Sequence, residues 1–154
     1  MIFIGLDQAT VVTGYSVYKN QELIAYGKFS AEGDDFSRYS KQKANVLALI
    51  EYTKEKYPKE EIQMQQNKTT FKQLAQLQGA LAVGVLEAYP EIHFDFIYAS
   101  QWKGFAKIKG KNRIEQKRNA QAKVLEIFDI TATQDEADAI MIGYYASHQE
   151  INWN

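Results

Sequence analysis

Met1-Ile-Phe-Ile-Gly-Leu-Asp7-Gln-Ala-Thr-Val-Val-Thr-Gly-Tyr-Ser-Val-Tyr18 is the stretch that decides the fold. Residues 2–6 form an apolar run of strand length that stops on a carboxylate, Asp7. A tight turn follows, then a second strand over 13–18 and a third over 23–29, joined by the polar hairpin Lys19-Asn-Gln-Glu22. A carboxylate at the end of one strand, with a second strand just beyond, is how a metal-dependent phosphoryl-transfer site begins. The plain alternative is that Asp7 caps its own turn onto Thr10 or Val11.

The remaining chain alternates helices with strands. Apolar residues at 36, 39, 46, 47 and 50 give a helical period over 36–56, which Tyr57-Pro58 ends. A short strand is expected over 60–65. A helix over 71–88 has Phe71, Leu74, Leu77, Leu81 and Val85 on one side. It also carries Ala75, Gly79, Ala80, Ala82 and Gly84, which suit either packing onto the body or contact with a second copy of the helix. A strand over 92–98, a mobile basic loop over 101–112 and a helix over 113–128 follow, the last with Ile114, Val124, Leu125 and Phe128 inward. Thr133-Gln-Asp-Glu136 reads as a capping box opening a final helix through about residue 147, with a frayed tail from 149 to 154. Three antiparallel strands and then alternating helices and strands predict one α/β domain over 1–154, a mixed five-stranded sheet flanked by helices.

Composition narrows the chemistry. The chain has 154 residues, 45% hydrophobic and 24% charged, enough for a core of its own. It has no cysteine and only two histidines, His93 and His148, so thiolate and zinc sites are disfavoured and carboxylates would select Mg²⁺ or Mn²⁺. No apolar run is long enough to cross a bilayer and no signal peptide is evident, so a cytoplasmic protein is expected. The net charge of −1 conceals a segment, 103–123, with eight basic residues against the single acid Glu115. Such a segment is either a solvated face or a surface for phosphates. Further on, Asp135 and Asp138 stand three apart on the final helix and share a face. Asp135 and Glu136 also suit the positive end of that helix. Two distant acidic elements with a basic stretch between them suggest an enzyme that binds metal ions and cuts a polyanion.

Four stretches in this order resemble the RuvC-type Holliday junction resolvases, and most closely their small phage-borne relatives. They are Ile4-Gly-Leu-Asp-Gln-Ala-Thr with Thr13-Gly-Tyr-Ser-Val17, Glu60-Glu-Ile-Gln-Met-Gln65 with Thr70-Phe-Lys-Gln-Leu-Ala-Gln-Leu-Gln-Gly79, Lys109-Gly-Lys-Asn-Arg113, and Asp135-Glu-Ala-Asp-Ala139. The resemblance implies a ribonuclease H-like fold and a homodimer that nicks two opposed strands of a four-way DNA junction. It implies four metal-ligating acids, Asp7, Glu60, Asp135 and Asp138. The chain departs from the family before Glu60, where Lys56-Tyr-Pro-Lys59 replaces an apolar strand and about four residues are lacking. Glu61 is therefore an alternative ligand. A branched-DNA-binding module with weakened catalysis is the alternative function. If the gene is phage-borne, the protein acts in its bacterial host.

Hydrolysis of a phosphodiester by such a set would use two Mg²⁺ ions roughly 4 Å apart, with Mn²⁺ as a substitute. Asp7 would bridge both ions, Glu60 would hold one, Asp138 the other, and Asp135 would complete the shell. Lys107, Lys109, Lys111, Arg113, Lys117 and Arg118 are the expected DNA contacts, with Lys117 or Arg118 reaching the scissile phosphate. Trp102 and Phe105 either stack on bases or pack the loop onto the body. Met64 is a candidate apolar wedge.

Overall fold

The computed structural model describes residues 1–68 and 72–149. Phe71 of the expected apolar helix face and the tail beyond Gln149 lie outside the described residues. Strands β1 (Ile2–Asp7), β2 (Val12–Lys19) and β3 (Glu22–Ser30) precede helix α1 (Asp35–Lys56). Strand β4 (Ile62–Asn67), helix α2 (Lys72–Ala88) and strand β5 (His93–Ile97) follow. Helices α3 (Ala99–Phe105), α4 (Arg113–Phe128) and α5 (Gln134–Ser147) close the chain. The sheet order is β3-β2-β1-β4-β5. β1 pairs antiparallel with β2 and parallel with β4, so the expected mixed five-stranded sheet is present.

The period-2 alternation of β1 sorts its side chains between two layers. Ile2, Ile4 and Leu6, each 0% exposed, join Val46, Ile50, Leu77, Leu81 and Val85 in a core under α1 and α2. Phe3, Gly5 and Asp7 therefore face the other layer, where α5 lies across β1 and β2. Glycine brings that helix down. A Cβ on Gly5 would stand 2.6 Å from the Gly143 nitrogen, and one on Gly14 would stand 2.0 Å from the Asp135 carbonyl oxygen. Ser16 Oγ then donates to the Ala139 carbonyl at 2.6 Å, and the Tyr18 hydroxyl to that of Ile140 at 2.8 Å. These buried hydrogen bonds fix the rotation of α5 over the end of β1. The capping box forms as read: Thr133 accepts from the Glu136 N–H, and the Glu136 carboxylate from that of Thr133.

Three expectations are corrected. Residues 101–112 are not a loop throughout. Ala99–Phe105 is helical because Trp102 (1% exposed) fills the space beneath it, and buried Ile108 pins the turn that follows. In α4 the inward row is Lys117, Ala120, Val124, spaced three and four, which turns Ile114 and Leu125 outward to 69% and 49% exposure. Met64 is fully buried beneath α1 and α2, so it is core and not a wedge. Among the described residues, no helix is long and apolar enough to cross a membrane.

Candidate active site

β1 and β4 run parallel with Ile2 opposite Ile62 and Leu6 opposite Gln66. One step on, at the carboxyl end of both strands, Asp7 meets Asn67. A cleft of about 270 Å³ opens there. Its lining includes Asp7, Asn67, Lys103, Arg113, Lys117, Asp135 and Asp138. Three of the four expected acids are thus brought together from the two ends of the chain. Among the described residues, no three acidic or histidine side chains close on a single point.

The electrostatics are strained in one direction. Burial, reinforced by the charges of Asp138 and Asp135, pushes the Asp7 carboxyl up to about 7. Lys117 and a long contact from Asn67 Nδ2 (3.5 Å to Oδ1) oppose that rise. Asp138 (8% exposed) is also raised by burial, against the pull of Lys117 and Lys103. Lys117 Nζ lies 3.5 Å from Asp138 Oδ2. Carboxylates gathered in one desolvated cleft are stabilised by protons or by cations between them.

Glu60 does not enter this cleft. It precedes β4, at the amino end of the strand pair, about 20 Å of strand from Asp7. There its carboxylate pairs with the Met1 ammonium and lies 3.9 Å from Lys19 Nζ. That ammonium, through its hydrogen bond and charge, holds the Glu60 carboxyl below its ordinary range. Glu61 is no substitute, since its carbonyl accepts from the Ile2 N–H at that same end. The cause is the short connection: α1 ends at Lys56 and β4 begins at Ile62. The strand therefore starts after the glutamates and finishes on Asn67.

Of the expected DNA contacts, Arg113 and Lys117 line the cleft. Lys107, Lys109, Lys111 and Arg118 are exposed outside it. Lys107 takes a left-handed backbone (φ 57°) at the turn after α3. Gly110 lets the next turn approach α4, where a Cβ would stand 2.7 Å from the Gln116 nitrogen. Trp102 packs inward, whereas Phe105 lies against α5 and remains 41% exposed. Trp102 donates to Asn67 Oδ1 at 3.2 Å, and the Phe105 ring contacts Tyr144, Tyr145 and His148. Asn67 and Lys103 were missed as cleft residues. The register of Ile62-Gln-Met-Gln-Gln-Asn67 holds the signal for Asn67, since apolar Ile62 and Met64 turn the even positions to the core under α1 and α2 and leave Asn67 on the face of Asp7.

A family model described as crossover junction endodeoxyribonuclease RuvC matches residues 3–145. The fold is similar to the Thermus thermophilus RuvC structure, with a TM-score of 0.71 and 17% identity, over 96% of this chain and 95% of that one. It is also similar to T. thermophilus RuvC in complex with Holliday junction substrate, with a TM-score of 0.67, 18% identity and coverage of 96% and 94%. These likenesses bear out the ribonuclease H-like fold. No curated protein sequence matches the chain.

Proposed function

The chain belongs to the RuvC family of crossover junction endodeoxyribonucleases, and from that premise we propose that Asp7, Asp135 and Asp138 hold the divalent metal of a junction-cutting site. The family chemistry is a metal-dependent hydrolysis of DNA. The observation that carries the residue assignment is the placing of half-buried Asp7 and buried Asp138 in one cleft at the carboxyl end of β1, where desolvation raises both carboxyls. Hard oxygen donors and concentrated negative charge fit Mg²⁺, with Mn²⁺ as a substitute. When bound, such ions supply an activated water and charge relief at the leaving oxygen.

The chain's own residues do the rest. Arg113 and Lys103 at the cleft offer positive charge to the phosphodiester. Lys117, held near Asp138, faces the same space and is the cation best placed to orient the scissile phosphate. Outside the cleft, Lys107, Lys109, Lys111 and Arg118 extend the basic surface along which the arms of a branched DNA would run. In the Thermus complex a Holliday junction is that protein's substrate, and we carry a four-way junction to this chain as its substrate. Its action would then fall in the cytoplasm, where the DNA is.

A junction has two equivalent cut sites, which a twofold dimer matches. Helix α2 offers a face for it. Gly84 and Leu81 pack inward, whereas Ala75, Gly79, Val83 and Leu86, spaced four, four and three, are exposed. The second reading, a junction-binding module with weakened catalysis, is favoured by one observation: neutral Asn67 stands beside Asp7 while Glu60 is engaged elsewhere.

Cleavage of a labelled synthetic four-way junction with Mg²⁺ or with EDTA, by wild type and Asp7→Asn, tests the proposal. Paired symmetric nicks that need Mg²⁺ and Asp7 support it. Tight junction binding without nicks supports the second reading. No preference for the junction over duplex contradicts the assignment of substrate.

A further inference from the structure

The orientation of the Asn67 side chain is set by its neighbours, and this bears on how much metal the site takes. Trp102 donates from Nε1 to Asn67 Oδ1 at 3.2 Å. The indole is 1% exposed and packed in the cluster formed by α3, α4 and α5 at the edge of the cleft. Exchanging the ends of the Asn67 amide would set an N–H₂ against the indole N–H, leaving two donors face to face at a part-buried contact. With its oxygen so engaged, the amide directs Nδ2 at Asp7 Oδ1, 3.5 Å away. Gln8 Nε2 bonds the Asn67 carbonyl, which anchors the backbone as well. A donor group, which cannot ligate a cation, therefore faces Asp7 at the corner of the cleft between β1 and β4.

We infer that Asn67, locked by Trp102, is a positioning residue that limits the metal content of the site: its N–H₂ is directed at one oxygen of Asp7, so that the DNA-free protein holds one divalent ion per chain instead of two. This rests on the reading of Asp7, Asp135 and Asp138 as the metal-binding set. Asn67→Asp keeps an acceptor for Trp102 and replaces the N–H₂ with an oxygen. Trp102→Phe removes the lock and lets the amide turn its own oxygen inward.

The test is titration of the DNA-free protein with Mn²⁺, followed by calorimetry and electron paramagnetic resonance, for wild type, N67D, W102F and D7N. Wild type is expected to bind one ion. N67D is expected to bind a second, or to bind the first about tenfold more tightly, in the range typical of changes to groups that support metal ligands. It should also melt lower than wild type in EDTA and gain more on adding Mn²⁺. W102F should show a smaller gain in affinity and carries the test if N67D fails to fold. Two ions in wild type, or unchanged affinity and stoichiometry in both variants, overturns the inference. D7N separates the levels. If D7N binds Mn²⁺ as wild type does, the metal-site reading itself fails. If D7N abolishes binding while N67D and W102F change nothing, only the role of Asn67 fails.

Discussion

The two ends of the β1–β4 pair each hold a carboxylate, and they behave oppositely. At the amino end, Glu60 meets the Met1 ammonium and Lys19, and its carboxyl is held low. At the carboxyl end, half-buried Asp7 is desolvated in the cleft beside Asp138 and Asp135 and is pushed up to about 7. One carboxylate has found its counter-charge within the chain. The other has too little, although Lys117 is near. A carboxylate satisfied by the fold is structural; one left short of positive charge is where an external cation is wanted. The resemblance on sequence grouped both as ligands, and three-dimensional placement separates them.

The largest effect that would break this contrast is on cleavage. Asp7→Asn or Asp138→Asn should slow junction cleavage by about 10³-fold or more, since several kcal/mol of metal-based stabilisation is at stake. Glu60→Gln should leave the rate within about twofold, as for a surface change away from the site. Parallel single-turnover assays on one junction substrate would show equal losses at both positions if the contrast were wrong.

A second test uses stability. The folded-state carboxyl of Asp7 is raised from 3.8 to about 7. The folded protein therefore binds that proton more tightly than the unfolded chain, and the stability it contributes is full below about pH 4. It is lost as pH rises through about 7. In EDTA, wild type should lose melting temperature across that window relative to Asp7→Asn, which cannot titrate there. At pH 8 the variant should melt several degrees higher, and Mg²⁺ should narrow the gap. Melting curves from pH 4 to 8 with and without the ion check this.

Neighbouring cations sharpen the comparison further. Lys117→Gln should slow cleavage about 10- to 100-fold, while Arg118→Gln, one residue away on the outer face, should act mainly on binding. Weakest of all, neutralising Lys107, Lys109 or Lys111 singly should lower the slope of log affinity against log salt by about 0.9 each with no change in saturated cleavage rate. Junction binding at several salt concentrations measures it.

Much of this was legible in the sequence because local pattern and burial agree. The alternation of residues 2–6, the Thr133–Glu136 cap and the Asp135/Asp138 spacing each depend on near neighbours, and the helix and strand ends they predict fall within a few residues of those found. Asn67 was hidden because it depends on register. The strand expected over 60–65 stops short of it; the strand found runs from Ile62 to Asn67, and its parallel pairing with β1 carries that last residue beside Asp7. Lys117 could not be told from Arg118 until the phase of α4 was known. Ile114 misleads there, because it is apolar yet exposed, while the small Ala120 marks the inner face. Helix α3 was masked by its charge and glycine, and Trp102 holds it down through contacts distant in sequence.

Anomalous diffraction from crystals soaked in Mn²⁺ tests most directly whether the cation is held at the carboxyl end of β1. A peak is expected in the cleft bounded by Asp7, Asp135 and Asp138, and none at the Met1–Glu60 end of the sheet. A peak coordinated by Glu60 or Glu61, or an empty cleft at saturating Mn²⁺, would contradict that assignment.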